Sequence, residues 1–179
     1  MTVMADRRRF AHAFLGSAVA VAVAGTVAAL THQPWLFPSL GPAVMLHLEK
    51  PRSPESSPRN TFIGHAVALL AGYAALRACG LTGHPSALQE GVTTPRIAAA
   101  AGSLAVTTLV LLLLKASHPP AGATTLIVSL GLLHTPAQLL VAAAAVVVVT
   151  AVDWAYNRVT GARMPWWSAA EPRPARDSG

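Results

Sequence analysis

A single cysteine, Cys79, rules out an internal disulfide in a chain of 179 residues. It lies in an apolar run and reads as a small core residue. Acidic side chains are also scarce, seven Asp and Glu against thirteen Lys and Arg. Charged residues make up only 11% of the chain, whereas a soluble domain carries about 25%. So few charges cannot furnish a nucleic-acid surface, and the net +6 reads instead as basic flanks on one side of a membrane. The chain has no HExxH zinc helix, no paired carboxylates, no GxSxG elbow and no phosphate loop. His32, His47, His65, His84, His118 and His134 are scattered without metal-ligand spacing. No metal, cofactor or enzymatic activity is therefore expected.

What is present is apolar, 53% of the residues with a mean hydropathy of +0.49. This is the composition of an all-α integral membrane protein whose partner is the lipid bilayer. Four runs are long enough to span, at residues 10–30, 61–81, 96–114 and 137–158. They define one membrane domain over residues 10–160, between a basic, frayed N-terminal tail at 1–9 and a polar C-terminal tail at 161–179. Arg7-Arg8-Arg9-Phe10 has the look of a twin-arginine signal. The apolar run behind it is of spanning length and three more follow, so a first helix with a cytoplasmic basic flank is the better reading. Small residues recur every fourth position at Gly16, Ala20, Ala24 and Ala28, and at Gly64, Ala68 and Gly72; Ala98 and Gly102 form a shorter pair. Such stripes let helices approach closely and make a homo-oligomer plausible. Trp35, Phe37 and Pro165-Trp166-Trp167 suit a membrane–water interface.

Two proline-broken stretches interrupt the pattern. In Lys115-Ala116-Ser117-His118-Pro119-Pro120-Ala121-Gly122-Ala123-Thr124-Thr125, Pro119 and Pro120 push their predecessors out of the helical region. One helix should stop near Ser117 and a half-helix start near Pro120, running over 121–132. The N–H groups of Ala121, Gly122 and Ala123 would then face the break, with Gly122 leaving room for an approaching group. In Phe37-Pro38-Ser39-Leu40-Gly41-Pro42, Ser39 is a good N-cap for a second half-helix, too short to span alone. Each stretch would also fit a plain loop between membrane helices, where proline is common. Pro38 and Pro119, like Gly41 and Gly122, are 81 residues apart. Both copies have the order long helix, break, half-helix, long helix, the pattern of a transporter built from repeats.

Each break is long enough to cross the hydrocarbon core or to re-enter it. If both cross, the repeats are inverted, and Lys50, Arg52, Arg59 and Lys115 join the terminal arginines on one side, leaving Arg77 and Arg96 on the other. The positive-inside rule favours that arrangement. Both termini are cytoplasmic either way, in a multi-pass protein of the cell membrane. Asn60 is a candidate cap for the second long helix. His65, one turn into that helix, is a functional candidate, or else bonds a nearby carbonyl. Asp153 is a proton or cation group, or else interfacial and paired with Arg158.

The stretch His118-Pro119-Pro120-Ala121-Gly122-Ala123-Thr124 resembles the HPP family of integral membrane proteins. Ser39-Leu40-Gly41-Pro42-Ala43 and the segment from Ser53-Pro54 through Pro58-Arg59-Asn60 to Gly64-His65 fit it in the same order. The resemblance implies four membrane-spanning helices and a role in transport, with nitrite suggested by plastid relatives in plants. It does not identify the substrate here.

Two functions compete. One is a transporter or channel for a small inorganic anion, nitrite-like. Its site would be formed by Ser39, Leu40 and Gly41 together with His118, Pro119, Pro120, Ala121, Gly122, Thr124 and Thr125. His118 could couple uptake to protons. Arg59, Asn60, His65 and Lys115 would form the mouth or gate, the two cations drawing anions inward. The alternative is a non-transporting membrane subunit that assembles with a partner protein through its small-residue stripes.

Overall fold

The computed structural model describes residues 2–169, with side chains from Arg7 onward. The expected tail from residue 170 lies outside the described residues. Seven helices follow one another, and there is no strand among the described residues. Helix α1 spans Thr2–Thr31 and α2 spans Leu40–Glu49. A 3₁₀ turn, Pro54–Ser56, leads into α3, Pro58–Ala78. A single turn, α4 (Ala87–Glu90), precedes α5 (Thr94–Leu113); α6 (Pro120–Ser129) and α7 (Pro136–Val159) complete the order. Four stretches are long and apolar enough to cross a membrane: Arg7–Thr31, Pro58–Ala78, Thr94–Leu113 and Pro136–Val159.

The helix ends follow local chemistry and correct several sequence boundaries. The basic residues near the N-terminus continue α1 as helix from Thr2 instead of fraying. Helix α3 starts earlier than expected because Ser57, not Asn60, is its cap: the Ser57 hydroxyl accepts the Asn60 N–H. Pro58 sits in the first turn, where no N–H is needed. At its other end Gly80 takes φ +70° and the Leu81 N–H returns to Leu76 O. This Schellman closure stops α3 at Ala78. The same device ends α6 at Ser129, with Gly131 at φ +80° and Leu132 N–H on Ile127 O. It ends α5 as well, ahead of the double proline: Lys115 adopts φ +48°, and Ala116 N–H bonds Leu111 O.

Small residues decide what packs against what. A Cβ on Gly64 would stand 2.8 Å from the Cβ of His118, and one on Gly72 would stand 2.8 Å from Val128 and 2.9 Å from Thr125 O. With Ala68 fully buried between them, this stripe lets α3 lie directly on α6 and the break before it. On α1, a Cβ on Gly16 would meet Leu48 and Tyr156 at 2.7 Å, and Ala20 and Ala24 are buried. On α5 the expected pair is on the wrong face: Ala98 and Gly102 are exposed, while Arg96, Ala99, Ser103, Thr107 and Leu111 point inward. Phe37 is also buried in the main apolar cluster, not interfacial, whereas Trp166 and Trp167 are exposed.

The two short helices lead to opposite ends of the bundle. Helix α2 runs on through the 3₁₀ turn to the start of α3, where Arg59 N–H bonds Trp167 O beyond the end of α7. Helix α6 ends beside the α3–α5 connection, where Ala87 N–H bonds Leu130 O.

Candidate functional site

The interior between the short helices is polar. Ser39 is the residue preceding α2, yet its hydroxyl caps nothing. It lies 2.6 Å from the hydroxyl of Thr124, 85 residues away on α6. Thr124 in turn lies 2.7 Å from His65 Nδ1 on α3. His65 Nε2 is 3.3 Å from His118 Nε2, and His118 Nδ1 is 2.8 Å from the Glu55 carbonyl. All four side chains are buried. The path therefore links both proline breaks through two imidazoles. Gly64 makes it possible, since any side chain there would occupy the space of His118.

A second buried pair lies alongside. His47 on α2 bonds Asp153 Oδ2 through Nδ1 at 2.8 Å and Thr61 through Nε2 at 3.0 Å. Its backbone carbonyl accepts from Asn157 Nδ2. Asp153 Oδ1 is buried with no hydrogen-bond partner among the described residues. The rings of His47 and His118 are 6.2 Å apart. Asp153 is thus neither solvated nor paired with Arg158, whose guanidinium lies over the rings of Trp154 and Trp166 at 5.0 and 5.1 Å. Three histidines that look scattered in sequence converge, although the described residues hold no cluster suited to a metal ion.

The break itself is less open than its prolines suggest. The N–H groups of Ala121 and Gly122 do not face a cavity: they bond His118 O and Pro119 O, and Leu40 N–H bonds Phe37 O. Thr125 points away from the Ser39 chain, toward Thr107 at 2.9 Å and Ala121 O at 3.1 Å. Gly122 is half-buried and lines a cleft of about 220 Å³ with Leu104, Thr107, Ser117, His118 and Pro119. Pro119 and Pro120 also line a second cleft, about 360 Å³, against Pro42 and Met45 of α2. Leu40 and Ala121 are buried, while Gly41 is half-buried with no neighbour within reach of a Cβ.

Of the expected mouth residues, three meet at one end. Arg59 donates to Asn60 Oδ1, to Lys115 O and to Leu114 O, and Asn60 Nδ2 donates to Ser117 O. With the exposed Lys115 they edge a pocket of about 270 Å³. Arg59 is held by the last carbonyls of α5, which fits the favourable placement of a cation at a helix C-terminus. His65 is not with them; it belongs to the buried chain. Sequence reasoning missed the joining of His47, Thr61 and Asp153, and it placed Arg96 on a loop flank. Arg96 is fully buried, donating to Pro85 O at 2.5 Å with Glu90 at 3.5 Å, and its guanidinium occupies the space beside Gly131. Only its position directly after Pro95, at a helix start, hints at this.

These features define a polytopic α-helical membrane protein with a buried histidine–hydroxyl interior. More narrowly, the chain belongs to the HPP transmembrane region family, whose family model matches residues 3–165. No curated protein and no solved structure matches it.

Proposed function

We propose that this protein is a transporter or channel for a small inorganic anion such as nitrite, with its site between the starts of α2 and α6. The observation that carries the reading is the Ser39–Thr124 contact, 2.6 Å long and buried, which joins the residue before α2 to the second turn of α6, two short helices that lead to opposite ends of the bundle. This is the geometry expected of two inverted half-helices meeting at the middle of a membrane, where transporters place their sites. Each is ten residues long, about 15 Å, or half of a hydrocarbon core. The N–H groups of Leu40, Ala121 and Gly122 already have partners, so recognition falls mainly to the hydroxyls of Ser39 and Thr124, the imidazoles, and the positive ends of the helix dipoles. Arg59 and Lys115 lie at the end that the positive-inside rule makes cytoplasmic, together with both termini. No catalytic role is assigned to any residue.

Flux of nitrite into liposomes containing only this protein tests the proposal. A Gly122→Phe variant should fill the cleft beside Leu104 and abolish flux while still inserting into membranes. Gly122→Ala should retain flux, because a Cβ there meets its nearest neighbour at an ordinary 3.5 Å. Normal flux through Gly122→Phe would remove the site. No flux from the unaltered protein would favour the role of a subunit that works only with a partner.

A further inference from the structure

Hydrogen-bond direction along the buried chain follows from one group. The Glu55 carbonyl can only accept, so His118 Nδ1 carries a proton and donates to it. A neutral His118 then has a bare Nε2. His65 must donate to that nitrogen from its own Nε2–H, leaving its Nδ1 bare. Thr124 donates to that Nδ1, and Ser39 donates to Thr124. Every donor from Ser39 to Glu55 is assigned, and the Ser39 hydrogen is used up.

One added proton changes this. If it binds His65 Nδ1, that nitrogen becomes a donor to Thr124, and the 3.3 Å bond between the rings lets either imidazole carry the charge. Thr124 must turn its own hydrogen toward Ser39. The Ser39 hydrogen is then released, and the structure offers it no partner, because Thr124 is the only group bonded to that hydroxyl among the described residues. A buried hydroxyl hydrogen without an acceptor is unfavourable. An anion at the start of α2 supplies the acceptor and also balances the charge on the rings.

We propose that the His65–His118 pair binds the co-transported proton, and that its occupancy makes Ser39 able to hold an anion. This deepens the transport reading and rests on it. One proton reverses the chain and one anion answers it, so a monovalent anion and a proton cross together without net charge. When the proton leaves, Ser39 is reclaimed by Thr124 and the anion loses its donor. The titratable groups next to the pair are His47 on α2, its ring 6.2 Å from that of His118, with Asp153 of α7 behind it. Glu55 in the 3₁₀ turn meets His118 through its backbone carbonyl, and the charged Arg59 donates to the backbone carbonyl of Lys115 at the α5 end. From α5 and α6 the nearby groups are the neutral Thr107 and Thr124.

Two measurements on the full chain separate this proposal from the transport reading. Nitrogen-15 NMR of histidine in the purified protein should show His118 as the Nδ1–H tautomer and His65 as the Nε2–H tautomer near neutral pH. One ring of the pair should become doubly protonated on acidification, and the Ser39→Ala variant should not abolish that step. Identical tautomers at both positions, or two rings that never protonate, overturn the switch whatever the flux assay shows. In liposomes, nitrite uptake should be driven by an inward acid gradient at one proton per anion, above the nitrous acid leak of protein-free vesicles. It should not respond to a potential clamped with valinomycin and potassium. The His65→Gln and His118→Gln variants should lose acid-driven nitrite accumulation at least tenfold while inserting into membranes with unchanged helicity. Wild-type coupling in either variant overturns the proposal. Nitrite flux that follows potential and ignores pH overturns it too, while leaving the transport reading standing.

Discussion

Two buried pairs built on histidine lie side by side in the interior, His47 with Asp153 and His65 with His118, and their partners differ. His47 has a carboxylate, Asp153, at 2.8 Å and a threonine on its other nitrogen. His65 and His118 have only each other, a threonine and a backbone carbonyl. The first pair ties α2 to α3 and α7, and a carboxylate at hydrogen-bond distance holds its ring in one orientation. The second pair is bonded to no carboxylate, so a proton added to it lacks a counter-charge until one arrives. On the proposed reading, the same residue type makes a fixed brace in one place and a conditional charge in the other, by a difference in partner.

Mutations should separate the two pairs in order of effect. Asp153→Ala leaves His47 Nδ1 without its partner and opens a void beside a fully buried ring, and should cost the most, ~3 kcal/mol, seen as a large fall in Tm in detergent. Gly64→Leu forces a side chain into the space of His118 and should destabilise by ~1–3 kcal/mol or more. It should also displace the His118 ring, read by NMR. Thr124→Val keeps the shape but removes a hydroxyl bonded on both sides. It should cost ~1–3 kcal/mol for the groups left unsatisfied and disconnect Ser39 from proton uptake. Ser39→Ala removes the last member of the chain and leaves Thr124 its bond to His65, so the loss should be nearer ~1 kcal/mol, with a much larger loss of anion flux. Lys115→Ala, at an exposed residue, should change Tm least, within ~0.5 kcal/mol. If Thr124→Val and Ser39→Ala proved equally mild, the chain would not be continuous.

Much of the fold could be read before any coordinates. The four spanning helices lie within a few residues of the expected ranges, because an apolar run of spanning length admits few alternatives in a bilayer. The starts of α2 and α6 also fall where Ser39 and Pro120 place them. Helix ends were less legible. Gly80 and Gly131 are recognisable as closers, but Lys115 in a left-handed conformation carries no such signature. The candidate site was legible in its parts and not in its wiring. His118, Ser39 and Thr124 could be named from the two breaks. Their connection through His65 depends on Gly64 bringing α3 against the break, and His47 meets Asp153 across 106 positions of sequence.

Hydropathy and proline placement alone were enough to specify a membrane protein with four long helices and two interrupted segments, since solvent and backbone geometry act on each segment separately. Which hydroxyl meets which imidazole, which arginine is buried, and which amides are already bonded were set only when the helices packed. Those outcomes depend on distances between residues far apart in the chain, and no local pattern encodes them.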